Sequence, residues 1–379
     1  MTDASSKNHF LIVAGDPSAD RHGAALVQAL RRQRPGVRIS ALGGDHLKEA
    51  ADHFIYPLVG LGGFGFWEPL MKLPQLWVAL GKIKRLFQED RPDLVIPMDY
   101  YGFNIHVARS AYAKGVPVVY YISPQVWASR SGRIRNLATI IRRMLVILPF
   151  EETLYRSAGV PVTFVGHPLL EKVPAPADLP TGQAGPPTGP ARIGLLPGSR
   201  WGTIQRHLPI LVETARRLRE RHPEAEFLMF KPAEIDEARY RPDLTGAPWI
   251  RLVTDADYRE RQTLRVALSV SGTAALENML LGIPMVILYR LSALSYQVAR
   301  RIITVPFIGM PNILAGRSIV PELIQEAATP DRLAEAAERF LQEQTLWEQT
   351  RNGLMDLRQS LGQGGSERAA TAILQEVHP

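Results

Sequence analysis

The sequence predicts an α/β protein built from two doubly wound, parallel-sheet halves and a helical C-terminal segment, and three observations predict it. Short continuous runs of Val, Ile and Leu, bounded by turn residues, alternate with segments of helical period. That is the pattern of strands buried on both faces by crossover helices. The alternation stops in a stretch crowded with Pro, Gly and Ala, residues 173–190, and then restarts, so this stretch reads as a linker. With 379 residues, the chain is long enough for two independent cores.

In the first half, residues 1–172, the runs His9–Ala14, Leu94–Ile96, Val118–Ile122, Leu145–Leu148 and Thr163–Val165 read as strands. In the second half, residues 191–320, strands are expected at Arg192–Leu196, Glu226–Phe230, Val266–Val270 and Pro284–Leu288, with a helix over Arg206–Arg221. Residues 321–379 are rich in Ala, Leu, Glu, Gln and Arg and read as helices, including Asp331–Gln344. Two Rossmann-like halves of this kind are expected to face a cleft at the carboxyl ends of their strands, where open α/β sheets bind ligands. The terminal helices either return to the first half or exchange with a second copy in a homodimer; the sequence is the same in both cases.

Composition narrows the function. Hydrophobic residues at 46% and charged residues at 21% disfavour disorder and fibrous repeats. The absence of cysteine excludes disulfide scaffolds, thiolate catalysis and Cys-based metal sites. A net charge of +7 points to an anionic partner: nucleic acid, a phosphorylated substrate or an acidic membrane face. The apolar run Leu11–Ala14 is too brief for a signal peptide, so a cytoplasmic protein is expected. No stretch reaches the roughly 18 apolar residues that span a bilayer. Residues 54–82 come closest, broken by Glu68 and Lys72, and read either as a segment lying on a membrane or as a buried helix with a Gly-rich loop. Arg130, Arg133, Arg135, Arg142 and Arg143 are expected in a helical region beside Trp127. No nucleic-acid fold or aromatic pattern accompanies them, so a solvated face or an anionic-lipid contact fits better.

Several strand ends carry chemistry. The first strand runs into Gly15–Ala24, a turn opening a helix with Ser18 or Asp20 as the natural N-cap; it is not the G-x-G-x-x-G pattern of dinucleotide sites. Asp99 follows a buried strand, where it is either a general base for an acceptor hydroxyl or a helix cap. His167 also follows a strand, in a structural hydrogen bond or in catalysis. In the second half, Gly198 permits close backbone approach, and Arg200 can fork onto a phosphate, which suits a diphosphate leaving group. The run Ser271-Gly272-Thr273 places a turn at a helix start whose N–H groups favour phosphate, with Glu277 one turn on for a ribose hydroxyl pair; a plain capped helix is the alternative. No metal-ligand spacing, P-loop or G-x-S-x-G elbow is present, so neither a metal nor a cofactor is expected.

Taken in order, the motifs Tyr121-Ile122-Ser123-Pro124-Gln125-Val126-Trp127-Ala128, Leu148-Pro149-Phe150-Glu151, Gly159 to Leu169, Leu195 to Arg200, Ser271 to Glu277 and Met310 to Arg317 resemble the lipid-A-disaccharide synthase family, inverting glycosyltransferases of the GT-B type. The resemblance implies transfer of 2,3-diacylglucosamine from UDP-2,3-diacylglucosamine to 2,3-diacylglucosamine 1-phosphate, giving a β-1,6 disaccharide phosphate and UDP without a metal. It implies Asp99 as base and Arg200 as diphosphate contact. Gly198, Ser199, Ser271, Gly272, Thr273 and Glu277 would form the nucleotide site, joined by Asn312 and Arg317 from a second cleft motif. Ser18, Asp20, Asn104 and His167 fall on the acceptor side. It also implies a cytoplasmic protein peripherally bound to the anionic inner leaflet, with residues 54–82 toward the acyl chains. The chain departs from the family pattern at Asp16, Ala19, Met98, Tyr101, Gly102, Ser129 and Thr203. Two rival readings remain at this level: a UDP-sugar epimerase of the same architecture, and an altered paralogue that binds UDP-sugar or lipid without turnover.

Overall fold

The computed structural model describes residues 8–59, 73–128, 132–175 and 189–377. Of the expected linker, residues 176–188 lie outside the described residues, as do residues 60–72 of the apolar segment. Seven strands make the first sheet: β1 (His9–Ala14), β2 (Arg38–Gly43), β3 (His53–Pro57), β4 (Leu94–Met98), β5 (Val119–Tyr121), β6 (Arg143–Val146) and β7 (Val162–Phe164). Their spatial order is β3-β2-β1-β4-β5-β6-β7, all parallel. Every residue of β1 is buried, as its unbroken apolar run requires of a central strand covered on both faces. The crossovers are α1 (Pro17–Gln33), α2 (Asp45–Ala50), α3 (Leu73–Glu89), α4 (Tyr101–Tyr112), α5 (Arg133–Ala138) and α6 (Pro149–Ser157). Leu11 and Val13 of β1 join Ile83 of α3, Val107 of α4 and Tyr155 of α6 in one core.

The second sheet has six parallel strands, β8 (Arg192–Leu196), β9 (Glu226–Phe230), β10 (Ile250–Val253), β11 (Val266–Val270), β12 (Met285–Tyr289) and β13 (Glu322–Ile324), in the order β10-β9-β8-β11-β12-β13. Its helices are α7 (Trp201–Arg221), α8 (Arg241–Leu244), α9 (Thr273–Leu280), α10 (Ala293–Ile302), α11 (Met310–Ala315), α12 (Pro330–Gln342) and α13 (Gln344–Ser360). A last helix, α14 (Gly365–Gln375), follows. Trp347 of α13 is buried, its indole N–H donating to the Arg265 carbonyl at 2.8 Å beneath the Arg265 guanidinium, 4.9 Å from the ring centre.

The chain forms two compact units: one takes the sequence up to Pro168 with Val298–Thr304 and everything from Leu361, the other Leu169–Gln297 and Val305–Ser360. The last helix therefore belongs with the first sheet. There Arg32 Nε donates to Glu367 at 2.7 Å and Gln33 donates to the Glu367 carbonyl at 3.0 Å. At its end Glu376 pairs with both Arg142, at 2.7 Å, and Arg143. This corrects the expectation of one basic helical region. Only Arg133 and Arg135 lie on α5, because the apolar run after Arg142 forms β6, whereas Arg130 lies outside the described residues. Among the described residues no helix is long and apolar enough to cross a membrane.

Strand order reverses once in each sheet, between β1 and β4 and between β8 and β11. At the first reversal Gly15 leaves β1 beneath the ring of Tyr100: a Cβ there would fall 2.1 Å from a ring carbon. Gly15→Ala must push this ring aside and should lower the unfolding free energy by about 1–3 kcal/mol. Denaturant midpoints measure it, with Gly81→Ala as the control, since nothing lies within 4 Å of the Cβ that substitution adds.

Candidate active site

In the first unit, the turns after β1 and β4 lie side by side, because Ala14 and Met98 are in register. Asp16 holds the first turn. Its backbone is extended (φ −132°, ψ 161°) and its Oδ1 accepts from the N–H groups of Ser18, at 2.9 Å, and Ala19, at 3.0 Å. Asp16, not Ser18 or Asp20, is therefore the N-cap of α1. Pro17 dictates this: it fixes the first helical φ and drives the preceding residue into the extended region a cap needs. Asp20 is buried and caps a different helix, accepting from Gly44 at 2.7 Å, His46 at 3.1 Å and Leu47 at 3.1 Å at the start of α2, where Gly44 has no side chain to offer. Ser18 is half-buried.

The second turn is strained. Asp99 (φ 45°), Tyr100 (φ 36°) and Ile122 (φ 61°) all sit in the left-handed region, which costs a non-glycine residue about 1–3 kcal/mol. Hydrogen bonds hold them there: Asp99 N–H to the Ile122 carbonyl at 3.0 Å, Ile122 N–H to Leu145 at 3.0 Å, and the Tyr120 hydroxyl to the Asp99 carbonyl. Fully buried Asn104 donates to the carbonyls of Met98 at 2.9 Å and Asp99 at 3.0 Å. The Asp99 carboxyl itself is pushed up to about 7, by burial first and then by the negative charge of Asp16, with the Tyr100 backbone N–H pulling the other way. His167 is buried and pushed down to about 3, by burial and then by His22, so it is neutral near pH 7. Its backbone N–H donates to Leu361 at 3.1 Å, where the returning C-terminal segment begins.

In the second unit the corresponding turns follow β8 and β11. Gly198 has φ 121°, and a Cβ there would lie 2.9 Å from Thr203 and 3.3 Å from Val270, so the two turns press together at a position only glycine fills. Ser199 and Arg200 are exposed, Arg200 at the cap of α7. Ser271 donates to the Ile308 carbonyl at 2.6 Å, Gly272 has φ 144°, and Thr273, exposed, opens α9. Glu277 is already engaged: Tyr258 donates to one oxygen at 2.9 Å and Arg261 to the other at 2.6 Å. Buried Asn312 donates to Val320 and Glu322, each at 2.8 Å, and accepts from Ile319 at 2.7 Å and Val320 at 3.0 Å. Arg317 is exposed.

Glu322, which the sequence reading passed over, joins these pieces by accepting from the N–H groups of Ile308 at 2.9 Å and Gly309 at 3.0 Å as well as from Asn312. Ser271 and Asn312 thus share one loop, residues 308–309. Buried His207 performs a similar task behind Arg200: Nδ1 lies 2.8 Å from the Thr203 carbonyl, and Nε2 accepts from the Arg290 N–H at 2.9 Å. That pairing fixes the neutral tautomer protonated on Nδ1, and burial lowers its pKa further from protonation. Tyr120, Tyr258, Arg261, Glu322 and His207 left no sequence signal, because each acts through a partner distant along the chain. Chemically, the first unit offers a carboxyl poised near neutrality. The second offers a guanidinium and a helix start for an anion. Among the described residues, no group of three or more His, Asp or Glu could hold a metal ion.

The family model described as Lipid-A-disaccharide synthetase matches residues 10–377. The lipid-A-disaccharide synthase of Syntrophus aciditrophicus is 42% identical over 369 residues, 96% of each chain. Among solved structures, the glycotransferase of kitacinnamycin superposes with a TM-score of 0.66 at 17% identity, over 98% of this chain and 99% of that one. The UDP-GlcNAc 2-epimerase of Neisseria meningitidis bound to UDP-GlcNAc gives 0.65 at 12% identity, over 98% of this chain and all (100%) of that one. At these identities the two structures establish the shared fold alone.

Since the charge of Asp16 helps hold Asp99 protonated, Asp16→Asn should lower the Asp99 midpoint from about 7. Asparagine caps helices as well as aspartate, so the turn survives the change. Carbon-13 NMR titration of the Asp99 carboxyl reads the shift; an unmoved midpoint would leave burial as its whole cause.

Proposed function

The chain belongs to the lipid-A-disaccharide synthetase family and is therefore a glycosyltransferase, and from that premise we propose how its own residues carry the transfer of 2,3-diacylglucosamine from UDP-2,3-diacylglucosamine to 2,3-diacylglucosamine 1-phosphate. The acceptor's 6-hydroxyl gives its proton to Asp99 as its oxygen attacks the donor's anomeric carbon. The bond from that carbon to the diphosphate oxygen breaks, and its electron pair leaves on UDP. One carbon–oxygen bond forms and one breaks on opposite faces, which yields the β-1,6 linkage. Sharing a fold with epimerases does not favour epimerisation, because the sequence likeness over the whole chain is to synthases.

One observation carries this reading: at the strand reversal of the first unit a half-buried carboxyl is pushed up to about 7, where a general base works best at neutral pH. Arg200 and the N–H groups at Thr273, at the second unit's reversal, support binding of the donor diphosphate, where negative charge grows as UDP departs. Ser199, Ser271 and Arg317 would line the same nucleotide site, while Gly198, Gly272, Glu277 and Asn312 shape it. On the acceptor side, Ser18, Asp20, Asn104 and His167 would hold the walls around Asp99.

A membrane role for the acceptor end draws support from α3, where Leu73, Trp77 and Val78 are 44%, 67% and 51% exposed just ahead of exposed Lys82, Lys84 and Arg85. Apolar side chains with basic neighbours suit an anionic leaflet. Such a surface fits a cytoplasmic enzyme resting on the inner membrane.

Asp99→Asn should reduce turnover by a factor on the order of 10²–10⁴ while leaving donor binding intact. Arg200→Ala should cost about 100-fold, or roughly 3 kcal/mol of transition-state stabilisation. UDP release and disaccharide formation from the two purified lipids measure both, and near-full turnover by either variant removes that residue's role. In flotation assays, phosphatidylglycerol vesicles should carry the protein upward and phosphatidylcholine vesicles should not, with Trp77→Glu abolishing the difference; equal recovery from both lipids would argue against the surface.

A further inference from the structure

The motif residues Ser123, Trp127 and Glu151 form a cluster that the transfer chemistry does not yet use. Glu151 is 1% exposed and stands in the first turn of α6. One of its oxygens accepts from the Ser123 hydroxyl at 3.0 Å and the Trp127 indole N–H at 2.9 Å; the other accepts from the Leu148 N–H at 3.2 Å. Ser123 also meets the buried Tyr155 hydroxyl at 3.0 Å. Burying a carboxyl is costly unless several donors repay it, and here a hydroxyl, an indole and a backbone amide all converge on it. Three donors from two separate segments make this a clamp on the loop 123–128 as well as a helix cap.

That loop is the continuation of β5, the strand next to β4. Met98 pairs with Tyr121 and Asp99 N–H reaches the Ile122 carbonyl, so Ser123 begins one residue past the partner of Asp99. The far end is held as well: the Ala128 carbonyl accepts from the Thr304 N–H at 3.0 Å. Between the anchors Trp127 is half-exposed, its ring edge-on to Phe150 with centres 5.0 Å apart. Because Glu151 consumes the indole N–H, what Trp127 offers outward is the apolar body of its ring, a surface suited to the carbon face of a sugar.

We propose that Glu151 is a positioning residue for the acceptor: by clamping Ser123 and Trp127 it fixes the loop 123–128 as a wall beside Asp99 and sets the Trp127 ring against the acceptor glucosamine. The assignment rests on the acceptor reading of Asp99. It places Glu151 away from the reacting atoms, so its loss acts on acceptor affinity and leaves the donor alone.

Steady-state kinetics on the full chain, with each lipid substrate varied in turn, test it. Trp127→Ala removes the ring, Trp127→Phe keeps a ring but removes the N–H that Glu151 holds, and Glu151→Gln disturbs the clamp. Trp127→Ala should raise the acceptor KM on the order of tenfold or more and Trp127→Phe by less, each with the donor KM within about twofold, since lost uniform binding appears in KM. Glu151→Gln should share that selective pattern. An acceptor KM unchanged in Trp127→Ala, or donor and acceptor KM rising together, would overturn the assignment even if Glu151→Gln fails to fold. A wild-type enzyme that makes no disaccharide from these two lipids would instead overturn the transfer reading itself, and this assignment with it.

Discussion

Reversal of strand order is the constraint on which the rest depends. Where a parallel sheet changes direction, the helices that follow the two central strands leave on opposite faces, and the strand ends between them stay uncovered. This chain does so twice, at β1/β4 and at β8/β11. What differs is the charge placed there. The first reversal buries Asp99 and sets it beside the charge of Asp16, and burial first, then that charge, gives a carboxyl able to take up a proton near neutrality. The second brings a guanidinium and a helix N-terminus, which favour an anion. A single architecture, used twice with opposite electrostatics, thus separates proton acceptance from anion stabilisation.

The residues at those openings fall into two kinds by their hydrogen bonds and exposure. Asp20, Asn104 and Asn312 are buried; backbone carbonyls take up both donors of the Asn104 amide, the Val320 carbonyl and the Glu322 carboxylate those of Asn312, and backbone N–H groups both oxygens of the Asp20 carboxylate. Leaving such groups unpaired would cost about 1–3 kcal/mol each, so their work is to hold turns whose shape the chemistry needs. Ser199, Arg200, Thr273 and Arg317 are exposed, and they are the ones in a position to meet a ligand. Glu277 lies between these kinds, since its oxygens already receive Tyr258 and Arg261 but its carboxylate retains further lone pairs.

How much of this the sequence displays follows from the physics of each element. β1, β8, β9 and β11 are legible to the residue because central parallel strands must be apolar on both faces. β2, β3, β10 and β13 are not. β3 and β10 are edge strands with half-exposed or charged positions, β13 is an edge strand of three residues, and β2 interrupts its apolar run with Ser40 and Gly43. Asp99 stands out in the sequence as an acid directly after a buried run, and Arg200 as a base after a glycine turn. Asp16 as a cap was hidden by the more favourable spacing of Ser18 and Asp20, although Pro17 decides the matter. Glu322 and Glu151 could not be found by spacing, since their donors come from loops that only the fold brings to them.

Keeping Asp99 near neutrality has a cost that falls on stability. Its folded pKa, and that of Glu151, are raised from ordinary carboxylate values to about 7, chiefly by burial. Between about pH 4 and 7 the folded chain therefore holds protons that the unfolded chain has released. The linkage slope is negative there, so the stability these groups lend at low pH is lost as pH rises through the folded values. At the pH where Asp99 loses its proton, the fold is already working against its charge. The left-handed backbone at Asp99, Tyr100 and Ile122 adds to that load. The dense pairing around it, from Asn104 and Tyr120 on the Asp99 carbonyl to the ladder through Ile122 and Leu145, is what a strained and partly desolvated carboxyl requires to stay where it is. The raised carboxyl and the rigid shell around it are two consequences of the same burial.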